Sequence, residues 1–214
     1  MTLTIEITSD FICPWCLVAE THLNRAIAQL KPAIAIQRIW HPFELNPGMP
    51  ELGIDRKTYR SQKFGSWDYS QQLDAKTIQA TQGDDIAFRY DLMTTTPNTL
   101  KAHRLTWLAG QQNQATAMAE RILNAYFTEG QNIAEVEVLA HLATEVGLDA
   151  ATVNAFLLSD AGTEEVRNLE QEAIARGIHG VPHIRIGNEI VSGAQPVEVF
   201  LLALKKAAQE LTTA

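Results

Sequence analysis

The stretch "FICPWC", residues 11–16, holds both cysteines of a 214-residue chain. It follows "LTIEIT" (3–8), whose alternating, β-branched residues predict a strand. It leads into "LVAETHLNRAIAQL" (17–30), where Leu17, Val18, Leu23, Ala26, Ile27 and Leu30 recur at helical spacing. Pro14 suits the first turn of that helix, where a missing N–H costs nothing. Pro32 disfavours its continuation, so the helix should end by Lys31. "AIAIQRIW" (33–40) predicts a second strand, which places Cys13 and Cys16 at the strand-to-helix junction of a β–α–β opening. Two thiols so spaced have three uses: a redox couple, half of a metal site, or two buried apolar side chains that are neighbours by chance.

Beyond this opening, "HPFELNPGMPELG" (41–53) breaks the pattern with prolines and glycines. From about Asp55 to Gly177 the periodicity is almost wholly helical, as in "NTLKAHRLTWLAG", "ATAMAERILNAYFTEG" and "EVEVLAHLATEVG". "TEEVRNLEQEAIARG" closes the region with acidic residues early and Arg176 late, as a helix dipole favours. Strand signals return at "HIRIG" and "EIVSG", joined by a "GN" hairpin turn, and "PVEVFLLALKKAA" reads as a last helix. The two outer pieces, βαβ and ββα, are each too small to be stable alone, and together they make one four-stranded α/β unit. The expected organisation is a discontinuous α/β domain, 1–54 with 178–214, interrupted by a helical insertion at 55–177.

Composition narrows the function. Apolar residues make up 46% of the chain and charged residues 20%, enough apolar character for a core and too little charge for disorder. Lys plus Arg total 17 against 25 Asp plus Glu, a formal charge of −8, which argues against nucleic acid or an anionic membrane surface as partner. No run approaches the roughly 18 apolar residues of a membrane span. "MTLTIEITSD" carries no legible export signal. The expected compartment is therefore a reducing cytoplasm, where a close cysteine pair is more often catalytic or metal-binding than a lasting disulfide.

The thiolate is the nucleophile in disulfide exchange, so a redox cysteine needs its pKa lowered. At the first turn of a helix Cys13 faces unsatisfied backbone N–H groups and the positive end of the dipole. The three-residue offset brings Cys16 to the same face. Cys13 is then the exposed nucleophile and Cys16 the buried resolving thiol. Zinc would require further ligands from the histidines. His22 shares the helix but is turned to another face than Cys16, and no histidine pair sits on a predicted helix at ligand spacing. No metal is expected.

The strand–CPWC–helix opening, the helical insertion and "GIHGVPHIRIGNEIVSGAQP" together resemble the DsbA-like branch of the thioredoxin superfamily. More narrowly, they resemble its signal-less FrnE-type members, a group similar to 2-hydroxychromene-2-carboxylate isomerases. The resemblance runs over essentially the whole chain and implies a thioredoxin fold with a helical insertion. It makes Pro182 the family's cis-proline beside the cysteine pair and gives Val181 the role of pairing with an extended substrate. Pro14 and Trp15 become the dipeptide that tunes the couple. "PNTLKAHRL" (97–105) resembles a helical-domain motif whose Asn and His face the active-site cleft, which carries over to Asn98 and His103. The residues themselves leave a helix N-cap for Asn98 and a surface or core position for His103. "SGAQ" (192–195) is also typical of the FrnE-type group.

These readings imply a cytoplasmic thiol–disulfide oxidoreductase acting on protein or low-molecular-weight disulfides. No resident cofactor is expected; glutathione is a possible co-substrate. Where exported members carry a His between the cysteines this chain has Trp15, so a milder oxidant is expected. Two alternatives stand beside it: a glutathione-dependent isomerase, for which a second cysteine is superfluous, and a holdase-like binding protein gripping extended segments near Phe11, Ile12 and Trp15. The apolar insertion leaves room for a homodimer.

Overall fold

The computed structural model describes residues 2–31 and 34–213; Pro32 and the expected strand start at Ala33 lie outside them. β1 (Thr2–Ser9) and β2 (Ala35–Pro42) pair in parallel, with Thr2 opposite Ala35 and Ser9 opposite Pro42. A parallel pair needs a crossover, which α1 (Pro14–Gln29) supplies. At the other end of the chain β5 (His183–Ile186), β6 (Glu189–Ser192) and α9 (Val197–Thr213) follow in turn. β5 lies antiparallel to both β1 and β6, giving the sheet order β2-β1-β5-β6. The hairpin turns through Gly187 at φ +57°, where a Cβ would lie 3.2 Å from that of Ala207 on α9. Left-handed backbone and close helix approach thus both call for glycine.

Alternation in β1 sends Leu3, Ile5 and Ile7 into one core. They meet Ala19, Leu23 and Ala26 of α1 and Phe200 and Leu204 of α9, all buried.

Seven helices separate β2 from β5 among the described residues: α2 (Arg56–Phe64), α3 (Trp67–Ala80), α4 (Leu100–Gly110), α5 (Ala115–Glu129), α6 (Val136–Glu145), α7 (Ala150–Leu158) and α8 (Thr163–Ala175). Asp55 caps α2 by accepting from the Thr58 N–H at 2.8 Å, and the Ser66 hydroxyl caps α3 at Tyr69. The region also holds a two-residue antiparallel ladder, β3 (Ile54–Asp55) with β4 (Thr95–Thr96), too short for periodicity to reveal.

A second core gathers Leu105, Met118, Ile122, Leu123, Phe127 and Leu139 of these helices with Phe11, Cys16 and Leu17. The CPWC segment therefore lies where the two cores meet. Trp40 packs against both, its indole N–H donating to Thr116 at 3.1 Å. Among the described residues no helix is long and apolar enough to cross a membrane.

Candidate active site

Cys13 occupies the N-cap of α1 with φ −92° and ψ 109°, and Pro14 follows as the first helical residue. The Cys13 N–H donates to the Asp10 carbonyl at 3.1 Å, and the Cys16 N–H donates to the Cys13 carbonyl at 3.0 Å. Both cysteines are free thiols, 7% and 3% exposed. A hydrogen bond from the Cys16 side chain, with the backbone N–H groups of Cys16 and Trp15, holds the Cys13 thiol below its ordinary pKa despite burial and the Asp10 charge. Burial first, then the neighbouring Cys13 sulfur, pushes the Cys16 thiol well above its own. One thiol is set up to ionise and the other to stay protonated.

The opposite wall comes from the loop before β5. The Val181–Pro182 peptide bond is cis, and the Cys13 sulfur lies 3.7 Å from the Val181 carbonyl oxygen. The "SGAQ" segment straps this loop down. The Gly193 N–H donates to the Pro182 carbonyl at 2.9 Å, and the Gln195 carbonyl lies 2.7 Å from His22 Nδ1 on α1.

Beside Cys13 opens a cavity of about 360 Å³, walled by Trp15 and by aromatic side chains including Tyr59, Phe64 and Tyr90. Arg56, Arg60, Lys63 and Lys76 line it against a single carboxylate, Asp74. Asp74 accepts from Arg56 at 2.7 Å and from Arg60 at 2.8 Å. Lys63 is held 2.9 Å from the Tyr59 hydroxyl. In a chain of net charge −8, this amphipathic recess is locally cationic. No sequence signal marked it, because Arg56 and Arg60 meet Asp74 only when α2 and α3 pack together.

Asn98 and His103 do not line this cavity. Asn98 clips two loops together, donating to the Met49 carbonyl at 2.7 Å and accepting from the Leu100 N–H at 2.9 Å. His103 is 4% exposed, its ring centroid 4.8 Å from that of Phe11 and its Nε2 3.4 Å from Asp10 Oδ1. His103 is thus packed inside against Phe11, whereas Asn98, half-buried, is tied to the loop at Met49. His103 also joins a buried group the sequence did not reveal, formed by Asp10, Glu44 and Glu170. Glu170 accepts from the Glu44 N–H at 2.8 Å, and burial, reinforced by Glu170, raises the Glu44 carboxyl to about 7. Among the described residues no three His, Cys, Asp or Glu side chains are grouped to hold a metal ion.

The dithiol at a strand–helix junction, facing a cis-proline loop, agrees with the family comparison. The DSBA-like thioredoxin domain matches residues 4–205. The chain belongs to that family. The probable DsbA oxidoreductase SCO1869 of Streptomyces coelicolor is 31% identical, with a TM-score of 0.87 over 97% of this chain and 91% of its own. Two further structures share the fold at 20% identity. A 2-hydroxychromene-2-carboxylate isomerase superposes with a TM-score of 0.70 over 98% of this chain and 96% of its own. The cytosolic disulfide reductase DsbM of Pseudomonas aeruginosa, also solved with GSH, superposes with a TM-score of 0.66 over 99% and 98%.

Proposed function

We propose that this member of the family is a cytoplasmic thiol–disulfide oxidoreductase with Cys13 as nucleophile and Cys16 as resolving thiol. The observation that carries the reading is the split between the two sulfurs: Cys13 is favoured as thiolate at the helix N-cap, and Cys16 is buried behind it as thiol. The Cys13 thiolate attacks a substrate disulfide, forming a mixed disulfide and releasing one substrate thiolate. Cys16 then attacks the Cys13 sulfur, closing the internal disulfide and releasing the second thiolate, so two electrons pass from the dithiol to the substrate. The reverse sequence oxidises a substrate dithiol. Trp15 supplies no imidazole to the Cys13 thiolate, which favours a milder oxidant than relatives with His at that position. Insulin reduction, measured as turbidity, should vanish in Cys13→Ser, while Cys16→Ser should accumulate mixed disulfides in cells. Normal turnover in Cys13→Ser would sink the reading.

The cationic, aromatic-walled cavity supports a low-molecular-weight anionic thiol such as glutathione as co-substrate. It also supports a second reading, glutathione-dependent isomerisation at Cys13. The two part at Cys16→Ser, which ends redox cycling and leaves isomerisation intact.

A further inference from the structure

His22 follows Cys16 along α1, and its ring is held from both ends. Nδ1 lies 2.7 Å from the Gln195 carbonyl oxygen, and Nε2 lies 2.9 Å from Asp84 Oδ2. Neither partner donates: one is a backbone carbonyl, the other a carboxylate that also takes the Arg25 guanidinium at 3.1 Å. Two acceptors at those distances call for a proton on each ring nitrogen, so the arrangement is complete only for the imidazolium. A neutral ring has one N–H and one lone pair, and the lone pair would face an oxygen. The two contacts lead to different walls of the active site. Asp84 follows α3, whose Leu73, Asp74, Lys76 and Thr77 line the cavity beside Cys13. Gln195 ends the strap on the cis-proline loop, where the Gly193 N–H donates to the Pro182 carbonyl at 2.9 Å and the Val181 carbonyl lies 3.7 Å from the Cys13 sulfur. The Asp84 end has further anchors, since Arg25 also reaches the Gly83 carbonyl at 3.3 Å and Asp85 at 3.2 Å. The strap has none: among the described residues no other hydrogen bond joins residues 193–195 to α1.

We propose that His22 is a proton-operated clasp for the cis-proline loop: its imidazolium fastens the 193–195 strap to α1, and its neutral form releases the strap. The inference rests on the exchange reading given above, in which a substrate pairs beside Val181. An N–H donated to a carboxylate is stronger than one donated to a neutral carbonyl. The neutral ring therefore keeps its proton on Nε2 against Asp84, and the contact that opens is the one to Gln195. Histidine is the side chain whose ordinary titration makes such a contact respond near neutral pH. The charged groups that face the ring are Asp84 and, behind it, Asp85 and Arg25. The strap itself, Gly193, Ala194 and Gln195, carries no titratable side chain. On α5, which packs against α1, Glu120 is taken up by Arg38 and Asn24. α9, packed on the other side, gives the ring no ion pair among the described residues. His22 passes no proton to sulfur. It holds Pro182 and Val181 in place against Cys13 and is a positioning residue.

Side-chain ¹H–¹⁵N NMR of the full chain, with His22 assigned by its absence in His22→Gln, reports the protons on each ring nitrogen as pH is varied. As Nδ1 loses its proton, the protection of the Gly193 amide, corrected for intrinsic exchange, should fall by about tenfold. In His22→Gln that protection should stay low at every pH. Asp84→Asn, which leaves the strap contact in place, should move the fall to lower pH by removing the charge that favours the imidazolium. Turnover of a peptide disulfide gives the functional readout. The KM of His22→Gln relative to wild type should be raised about tenfold at low pH and return to one at high pH, with the kcat ratio nearly constant. Gly193 protection that ignores the proton on Nδ1, or a fall that Asp84→Asn does not move, overturns the clasp. So does a KM ratio that is the same at all pH values, the mark of a merely structural side chain. A wild-type chain that turns over no disulfide at any pH overturns the exchange reading alone, and Gly193 protection still decides the clasp.

Discussion

The asymmetry of the cysteine pair arises from one backbone position. As N-cap, Cys13 faces N–H groups that no preceding turn can satisfy, and Cys16, one turn on, faces the apolar helices. In a single-cysteine chain, Cys16→Ala, which has no side-chain donor, the loss of the hydrogen bond should raise the pKa at Cys13, visible as iodoacetamide alkylation shifting to higher pH. An alkylation profile that does not move would show that the backbone N–H groups suffice. Glu44 sets a second residue-scale expectation. Its carboxyl is raised to about 7, so the folded chain binds its proton more tightly than the unfolded chain does. Stability from this group is therefore full below the ordinary carboxyl pKa and falls as pH rises through about 7. Glu20, raised to about 8 by burial and by the neighbouring Glu120 against the opposing pull of Arg38, acts with the same sign. The thermal midpoint should drop between about pH 5 and pH 8, and Glu44→Gln should recover roughly 2–4 °C of that drop.

Between elements, two contacts decide how the helices are held. Phe200 of α9 is wholly buried against the sheet and α1, so Phe200→Ala should cost about 3–5 kcal/mol in denaturant unfolding. Arg104 of α4 closes the join between α7 and α8, donating to the carbonyls of Phe156, Ser159 and Ala161 at 2.9, 2.6 and 2.8 Å. With its guanidinium buried, Arg104→Met strands those acceptors and should cost about 2–4 kcal/mol by urea titration. A loss well under 1 kcal/mol would mean that water replaces the donor.

At the scale of the whole molecule, charge is distributed against its own average. A chain of formal charge −8 places four cations around the cavity at Cys13. Partly buried charges are screened less than exposed ones. On the proposed reading, Arg60→Ala should raise KM for glutathione disulfide by about tenfold with little change in kcat, and turnover of a neutral disulfide such as hydroxyethyl disulfide should be unaffected. Equal effects on both substrates would remove the charge argument.

The sequence by itself determined the frame. Strand alternation before residue 11, helical spacing after Cys16 and the "GN" hairpin near the C-terminus follow from local backbone preference and periodicity, and those are properties of neighbours along the chain. The cysteine offset and Pro14 likewise placed both thiols at one helix start, because three residues make almost one turn. The tertiary structure decided which groups meet there. Arg56, Arg60 and Asp74 converge only when α2 packs on α3, and Asp10, Glu44, His103 and Glu170 converge from four separate segments. It also packed His103 against Phe11 and tied Asn98 to the Met49 loop, contacts that no motif spells out. Contacts between residues far apart in the chain carry no periodicity to read, and they are what set a cationic recess beside a legible pair of thiols.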